Sequence, residues 1–209
     1  MKKAILAKKI GMTQIFLDDG KLLGVTVLLA GPCVVIQKKS VEKEGYNAVK
    51  VAFGAAKPKQ ITKPVKGQFK DADIEPLKYI KEFRLEDTDS LKVGDSINAD
   101  IFTAGEKVDI SGVSKGKGFQ GSIKRHGFGR GPVSHGSKYH RGSGALSAGT
   151  FPGRVQKGRK LPGQMGNKNV TAQNLEIVRV IGEKNIILVK GPVPGANNSL
   201  LYVRDTVKE

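Results

Sequence analysis

Short runs of β-branched and other apolar residues, broken by turn residues, fill residues 3 to 54 and predict strands. Thr13 to Leu17 and Leu22 to Leu29 flank Asp18-Asp19-Gly20-Lys21, a turn sequence that predicts a hairpin. Past Gly31-Pro32 come Val34-Val35-Ile36 and a polar loop ending in Gly45. Tyr46 to Phe53 follows, in which Val49, Val51 and Phe53 alternate with polar or small neighbours. This is the spacing of a barrel or a sandwich. The pattern loosens between Lys57 and Pro76, with prolines at 58, 64 and 76. Within it, Lys63 to Phe69 predicts one short helix, Pro64 being tolerated in the first turn. Lys78 to Leu85 predicts a strand, Val93 to Ile97 a tight turn into the next, and Lys107 to Val113 a strand with Val108, Ile110 and Val113 facing inward. Alternation then stops, and returns only at Leu175 to Ile181, Asn185 to Lys190 and Leu200 to Arg204.

Three strands alone make a marginal sheet, so the N- and C-terminal strands are expected to join in one closed antiparallel barrel. The predicted class is all-β: a discontinuous barrel domain, 1–114 plus 169–209, one short helix, and a long irregular extension, 115–168, inserted between strands.

Composition sharpens that division. Lys115 to Lys168 holds 12 Lys plus Arg, no Asp or Glu, 14 of the 27 glycines and all three histidines. The remaining 155 residues carry 24 basic and 19 acidic side chains, so most of the net charge of +17 comes from about a quarter of the chain. Only 12 apolar residues fall in the stretch, too few to offset its ordering entropy without a partner. A protein this basic gains by neutralising a polyanion, with phosphate contacts releasing counterions. Nucleic acid is favoured over membrane: there is no apolar run of about 18 residues, and the Gly-rich stretch lacks the apolar face of a membrane-surface helix. Glycine lets the backbone approach phosphates closely, and Phe119, Phe128, Tyr139 and Phe151 are placed to stack on exposed bases.

Other chemistry finds little support. Gly116-Lys117-Gly118-Phe119-Gln120-Gly121 matches the dinucleotide-binding glycine pattern after a predicted strand. Gly127, Gly129 and Gly131 then break the helix that should follow, and the next acid is Glu176. His126, His135 and His140 have no Cys or carboxylate nearby to complete a metal site, so no metal and no cofactor are expected. No catalytic triad or carboxylate pair is visible, and no small-molecule substrate is expected. The single cysteine, Cys33, reads as a small buried hydrophobe in a reducing compartment. The N-terminal MKKAILAKKIG starts basic, but its apolar run ends at Lys8, and no export signal is read. The alternatives to a specific RNA binder are a general nucleic-acid compactor, a solvated basic segment and a dinucleotide-binding enzyme.

The motifs themselves resemble the bacterial form of large-subunit ribosomal protein L3. The residues carrying the resemblance are Phe102, Asp109, Gly112, Ser114, Gly116-Lys117-Gly118, Gly121 and Arg125, then Gly131 to Ser137, Tyr139-His140-Arg141, Pro152-Gly153-Arg154-Val155, Lys157-Gly158 and Gly163 to Gly166. It continues through Val170-Thr171, Leu175, Leu188 to Gly191 and Val193-Pro194-Gly195, and includes Gly11-Met12-Thr13 near the start. The resemblance implies a barrel similar to the second domain of translation elongation factors and an extension driven into 23S rRNA towards the peptidyl transferase centre. It also implies a role in early subunit assembly, neighbouring large-subunit proteins L14 and L19, and a place in the cytoplasmic ribosome. Some members carry a methylated glutamine where this sequence has Thr150, so that modification is not expected, and Ser143 stands where many members have proline.

The chain is thus read as a structural rRNA-binding protein and not an enzyme. Expected rRNA contacts are Lys115, Lys117, Lys124, Arg125, Arg130, Lys138, Arg141, Arg154, Lys157, Arg159, Lys160 and Lys168 to phosphates, and His126, His135 and His140 to bases or sugars. The extension tip is expected near Ser143, Gly144, Thr150 and Phe151.

Overall fold

The computed structural model describes residues 2–17, 19–70, 74–88, 90–146 and 149–208. The chain divides into two compact units, one of residues 1–113 with 169–209 and one of 114–168.

In the first unit, β1 (Ala4–Phe16) and β2 (Leu22–Ala30) form the expected hairpin, with Phe16 opposite Leu22. Residue 18 of its turn lies outside the described residues. β7 (Lys107–Val113), β10 (Asn169–Ile181), β11 (Ile186–Lys190) and β12 (Leu200–Asp205) complete a closed antiparallel barrel in the order β1-β12-β7-β10-β11-β2. Strands from both ends of the sequence close it, with Ala4 paired to Arg204 and Val203 to Ile110. Alternation along these strands sends Ile5, Leu28, Val108, Ile110, Ile177, Ile187, Leu201 and Val203 into one buried core.

Three N-terminal strands join the barrel and the others do not. β3 (Cys33–Lys39), β4 (Ala48–Ala55), β5 (Leu77–Phe83) and β6 (Ser96–Ile97) form a separate sheet, ordered β5-β4-β3-β6. The corner lies at Gly31-Pro32. Gly31 has φ +88, and the Ile97 carbonyl oxygen stands 2.8 Å from where a Cβ would be, so only glycine fits. Pro32 has no N–H to continue a ladder. One face of this second sheet, with Cys33, Val35, Val49, Val51 and Phe53, shares the barrel's core cluster. The opposite face buries Ile36 and Ala52 under Phe69 and Val65. Val65 belongs to the short helix α2 (Lys63–Gly67), which has Pro64 in its first turn as expected.

Two local expectations are corrected. The polar loop before Gly45 contains a single helical turn, α1 (Val41–Glu44). Val113 faces outward at 44% exposure, because the inner slots of β7 go to Val108, Ile110 and Gly112. At Gly112 a Cβ would lie 2.5 Å from Leu201 Cδ2, so the leucine fills the place a side chain would take. Cys33 is buried as expected, its Sγ 3.5 Å from the Leu6 carbonyl oxygen.

Candidate nucleic-acid interface

The 114–168 unit starts and ends as a two-stranded ribbon. Ser114 N–H donates to Lys168 O at 2.9 Å, Asn167 N–H to Ser114 O at 3.2 Å, and Lys117 N–H to Met165 O at 2.9 Å. The ribbon continues as β8 (Phe119–Gln120) against β9 (Gly163–Gln164). A five-residue helix follows, α3 (Ser122–His126), ended by Gly127 in the left-handed conformation. This is why the glycine-rich motif at 116–121 does not open a nucleotide-binding fold: the helix after it lasts barely more than one turn.

Beyond the helix, backbone carbonyls hold the unit together. Arg125 Nη1 donates to the Leu161 carbonyl at 2.6 Å, and His126 Nε2 meets the same oxygen at 3.0 Å. A carbonyl can only accept, so His126 carries its proton on Nε2 in this contact. Gly131 N–H donates to His140 O at 3.1 Å, and the His140 Nδ1 lies 3.0 Å from Pro132 O, closing the 131–140 loop. The Tyr139 hydroxyl accepts from Gly144 N–H, and Arg159 donates to Ala145 O. Ser143 is half-buried with its Oγ 2.8 Å from that of the buried Ser122, so this serine ties the start of the expected tip to α3.

The geometry separates the candidate residues. Lys115, Lys117, Lys124, Arg130, Lys138, Arg141, Arg154, Lys157, Arg159, Lys160 and Lys168 are exposed, as are His135 and His140. Arg125 and His126 are half-buried and have an internal partner in Leu161. Nothing in the sequence marks Leu161, because its backbone makes the contact. Gly144, Thr150 and Phe151 are exposed, Phe151 to 88%, while residues 147 and 148 of the same loop lie outside the described residues. Phe128, Leu146 and Pro152, with Lys157, Arg159 and Lys160, line an open cleft of about 540 Å³.

Electrostatics distinguish the two units. In the barrel unit, cations meet carboxylates: Lys3 pairs with Glu106 at 3.1 Å, Lys39 with Glu82 at 2.8 Å, Lys190 with Glu176 at 3.2 Å, and Arg204 approaches Asp109 at 3.6 Å. The hydrogen bond from Lys39 holds the Glu82 carboxyl below the usual carboxylate range, and its counterpart, with help from the Tyr46 hydroxyl, raises Lys39. The 114–168 unit has twelve Lys and Arg and no carboxylate side chain of its own to answer them. A surface of this charge favours a polyanionic partner on electrostatic grounds.

Comparison with known proteins agrees with the motif pattern. The family model described as Ribosomal protein L3 matches residues 82–185. Over 208 residues the chain is 54% identical to the large ribosomal subunit protein uL3 of Carboxydothermus hydrogenoformans, an alignment covering 100% of this chain and 99% of the relative. The chain belongs to the ribosomal protein L3 family. Proteins of the L3 family are structural components of the large ribosomal subunit and not enzymes. The L3 match begins at the last residues of β5 and runs past the end of β10, and so includes the whole 114–168 unit.

Proposed function

We propose that this L3-family protein binds large-subunit rRNA through its 114–168 unit, with the barrel unit as the anchor. The observation that carries the reading is the concentration of twelve cations, eleven of them exposed, in a unit without a carboxylate. Exposed Lys and Arg side chains contact phosphates of several RNA segments and hold them together. His135, His140 and the exposed aromatics Phe119, Tyr139 and Phe151 contact bases or sugars. Arg125 and His126 act from within, by holding the backbone at Leu161.

In this proposal the extension penetrates 23S rRNA with the 143–154 loop towards the peptidyl transferase centre, and binding contributes to early assembly in the cytoplasmic ribosome. L14 and L19 are the proposed protein neighbours. The motif resemblance and the full-length similarity to uL3 support these points.

The test is titration of the full chain with large-subunit rRNA across salt concentrations. With roughly ten phosphate contacts, log K should fall against log salt with a slope of about −7 to −9. A variant lacking residues 120–165 should lose most of that slope. An unchanged slope would reject the extension as the binding element, and preference for duplex DNA in competition would favour a general compactor.

A further inference from the structure

The cleft of about 540 Å³ in the 114–168 unit has a mixed lining. Phe128, Leu146 and Pro152 supply apolar surface to it, and Lys157, Arg159 and Lys160 supply cations. Its volume falls in the range of about 300–1,000 Å³ typical of sites for small ligands. The arrangement is not an accident of a loose loop, because the contacts that make it are specific. Arg125 and His126 both hold the Leu161 carbonyl, which fixes the irregular segment after residues 157–160 beside the end of α3. The His126 ring lies 6.0 Å from that of Phe128 at 40°, bracing the phenyl group from one side. Arg159 is in turn hydrogen-bonded to the Ala145 carbonyl, next to Leu146.

We propose that this cleft receives a single unstacked nucleotide of the RNA, its base against Phe128, Leu146 and Pro152 and its phosphate against Lys157, Arg159 and Lys160. The proposal rests on the rRNA-binding reading above and adds a named subsite to it. A base within a duplex has both faces stacked and its pairing edge occupied, so it cannot lie on a side chain in a cleft; a bulged or looped-out base can. A phenyl ring stacks on any base, whereas the cations next to it select for the attached phosphate. An acidic peptide would satisfy the cations and leave the apolar surface unmatched. A free mononucleotide would match both but must give up its whole translational freedom, which a nucleotide tethered in bound RNA has already lost.

The experiment uses the full chain with large-subunit rRNA and the variants Phe128→Leu, Phe128→Tyr and the double variant Lys157→Gln with Lys160→Gln. Loss of the ring in Phe128→Leu should weaken binding by about 5- to 150-fold, the effect of one stacked base, with the salt slope unchanged. Phe128→Tyr should restore affinity, which a general packing defect would not predict. The double lysine variant should lower the magnitude of the salt slope by about 1.4 to 1.8. Irradiation of the complex should crosslink a nucleotide to the peptide containing Phe128. If Phe128→Leu binds as tightly as the parent, or weakens binding only together with a smaller salt slope, the cleft is not a nucleotide site. If the unaltered chain fails to prefer rRNA over duplex DNA, the broader rRNA-binding reading fails instead.

Discussion

Asp109 is 1% exposed in the middle of a hydrophobic strand, and its surroundings explain how a carboxylate survives there. Its Oδ1 accepts from Asn174 N–H at 3.0 Å and from the Thr206 hydroxyl at 3.3 Å, while Oδ2 makes no hydrogen bond and faces Arg204 at 3.6 Å. Asn174 lies where the β7–β10 register shifts, between Ala172 and Leu175, so Asp109 fastens an irregular stretch of the barrel wall. Asp109→Ala should cost about 3 kcal/mol, read as a lower urea midpoint at constant slope, because it strands Arg204 and an amide together. Cys33 makes a different prediction. Burial pushes its thiol up to about 12 from an ordinary value of 9.0. It should resist alkylation at pH 8 in the folded protein and react once the chain is unfolded in urea. Since the folded value is the higher one, the unfolded chain loses this proton first as pH rises. The thiol's contribution to stability is therefore intact below pH 9.0 and lost as pH climbs towards about 12.

At the level of elements, the barrel strands follow from local pattern, because most inner positions are apolar, with Lys9 and Thr26 as buried exceptions, and the hairpin turns carry Gly, Asp or Asn. Ile110, fully buried between partners on β10 and β12, should lose about 2–5 kcal/mol on Ile110→Ala in a thermal or urea melt. The hairpin end offers the contrast: Phe16 is 75% exposed, and Phe16→Ser should change stability by no more than about 0.5 kcal/mol. Sequence reading loses its grip where pairing is not local. Nothing in Val34-Val35-Ile36 says that its neighbours are β4 and β6 and not barrel strands; the Gly31-Pro32 corner decides that in three dimensions. Val113 is out of phase with Val108 and Ile110, and the inner slot in phase with them falls on Gly112, whose space belongs to Leu201, 89 positions away in sequence. The candidate interface was legible as composition, twelve cations without an acid, yet the bonds that shape it run to carbonyls of Leu161, Pro132 and Ala145. A carbonyl is common to every residue, so no residue type announces such a contact.

For the molecule as a whole, charge is divided between the two units and that division sets behaviour in salt. Replacing Lys115, Lys117 and Lys138 with Gln should leave the urea midpoint within about 0.5 kcal/mol of the parent. The same change should reduce the magnitude of the rRNA salt slope by about 2 to 3. Stability and RNA affinity would then vary separately, as expected if one unit carries the core and the other the cations. The closure of the barrel has a consequence for the timing of synthesis. Ala4 pairs with Arg204, so the edge of β1 that β12 will cover is made about 200 residues before its partner. At roughly 5–20 residues per second, that edge waits about 10–40 s on the translating ribosome. The whole basic unit emerges during the interval, so RNA or a chaperone can reach it before the barrel has shut.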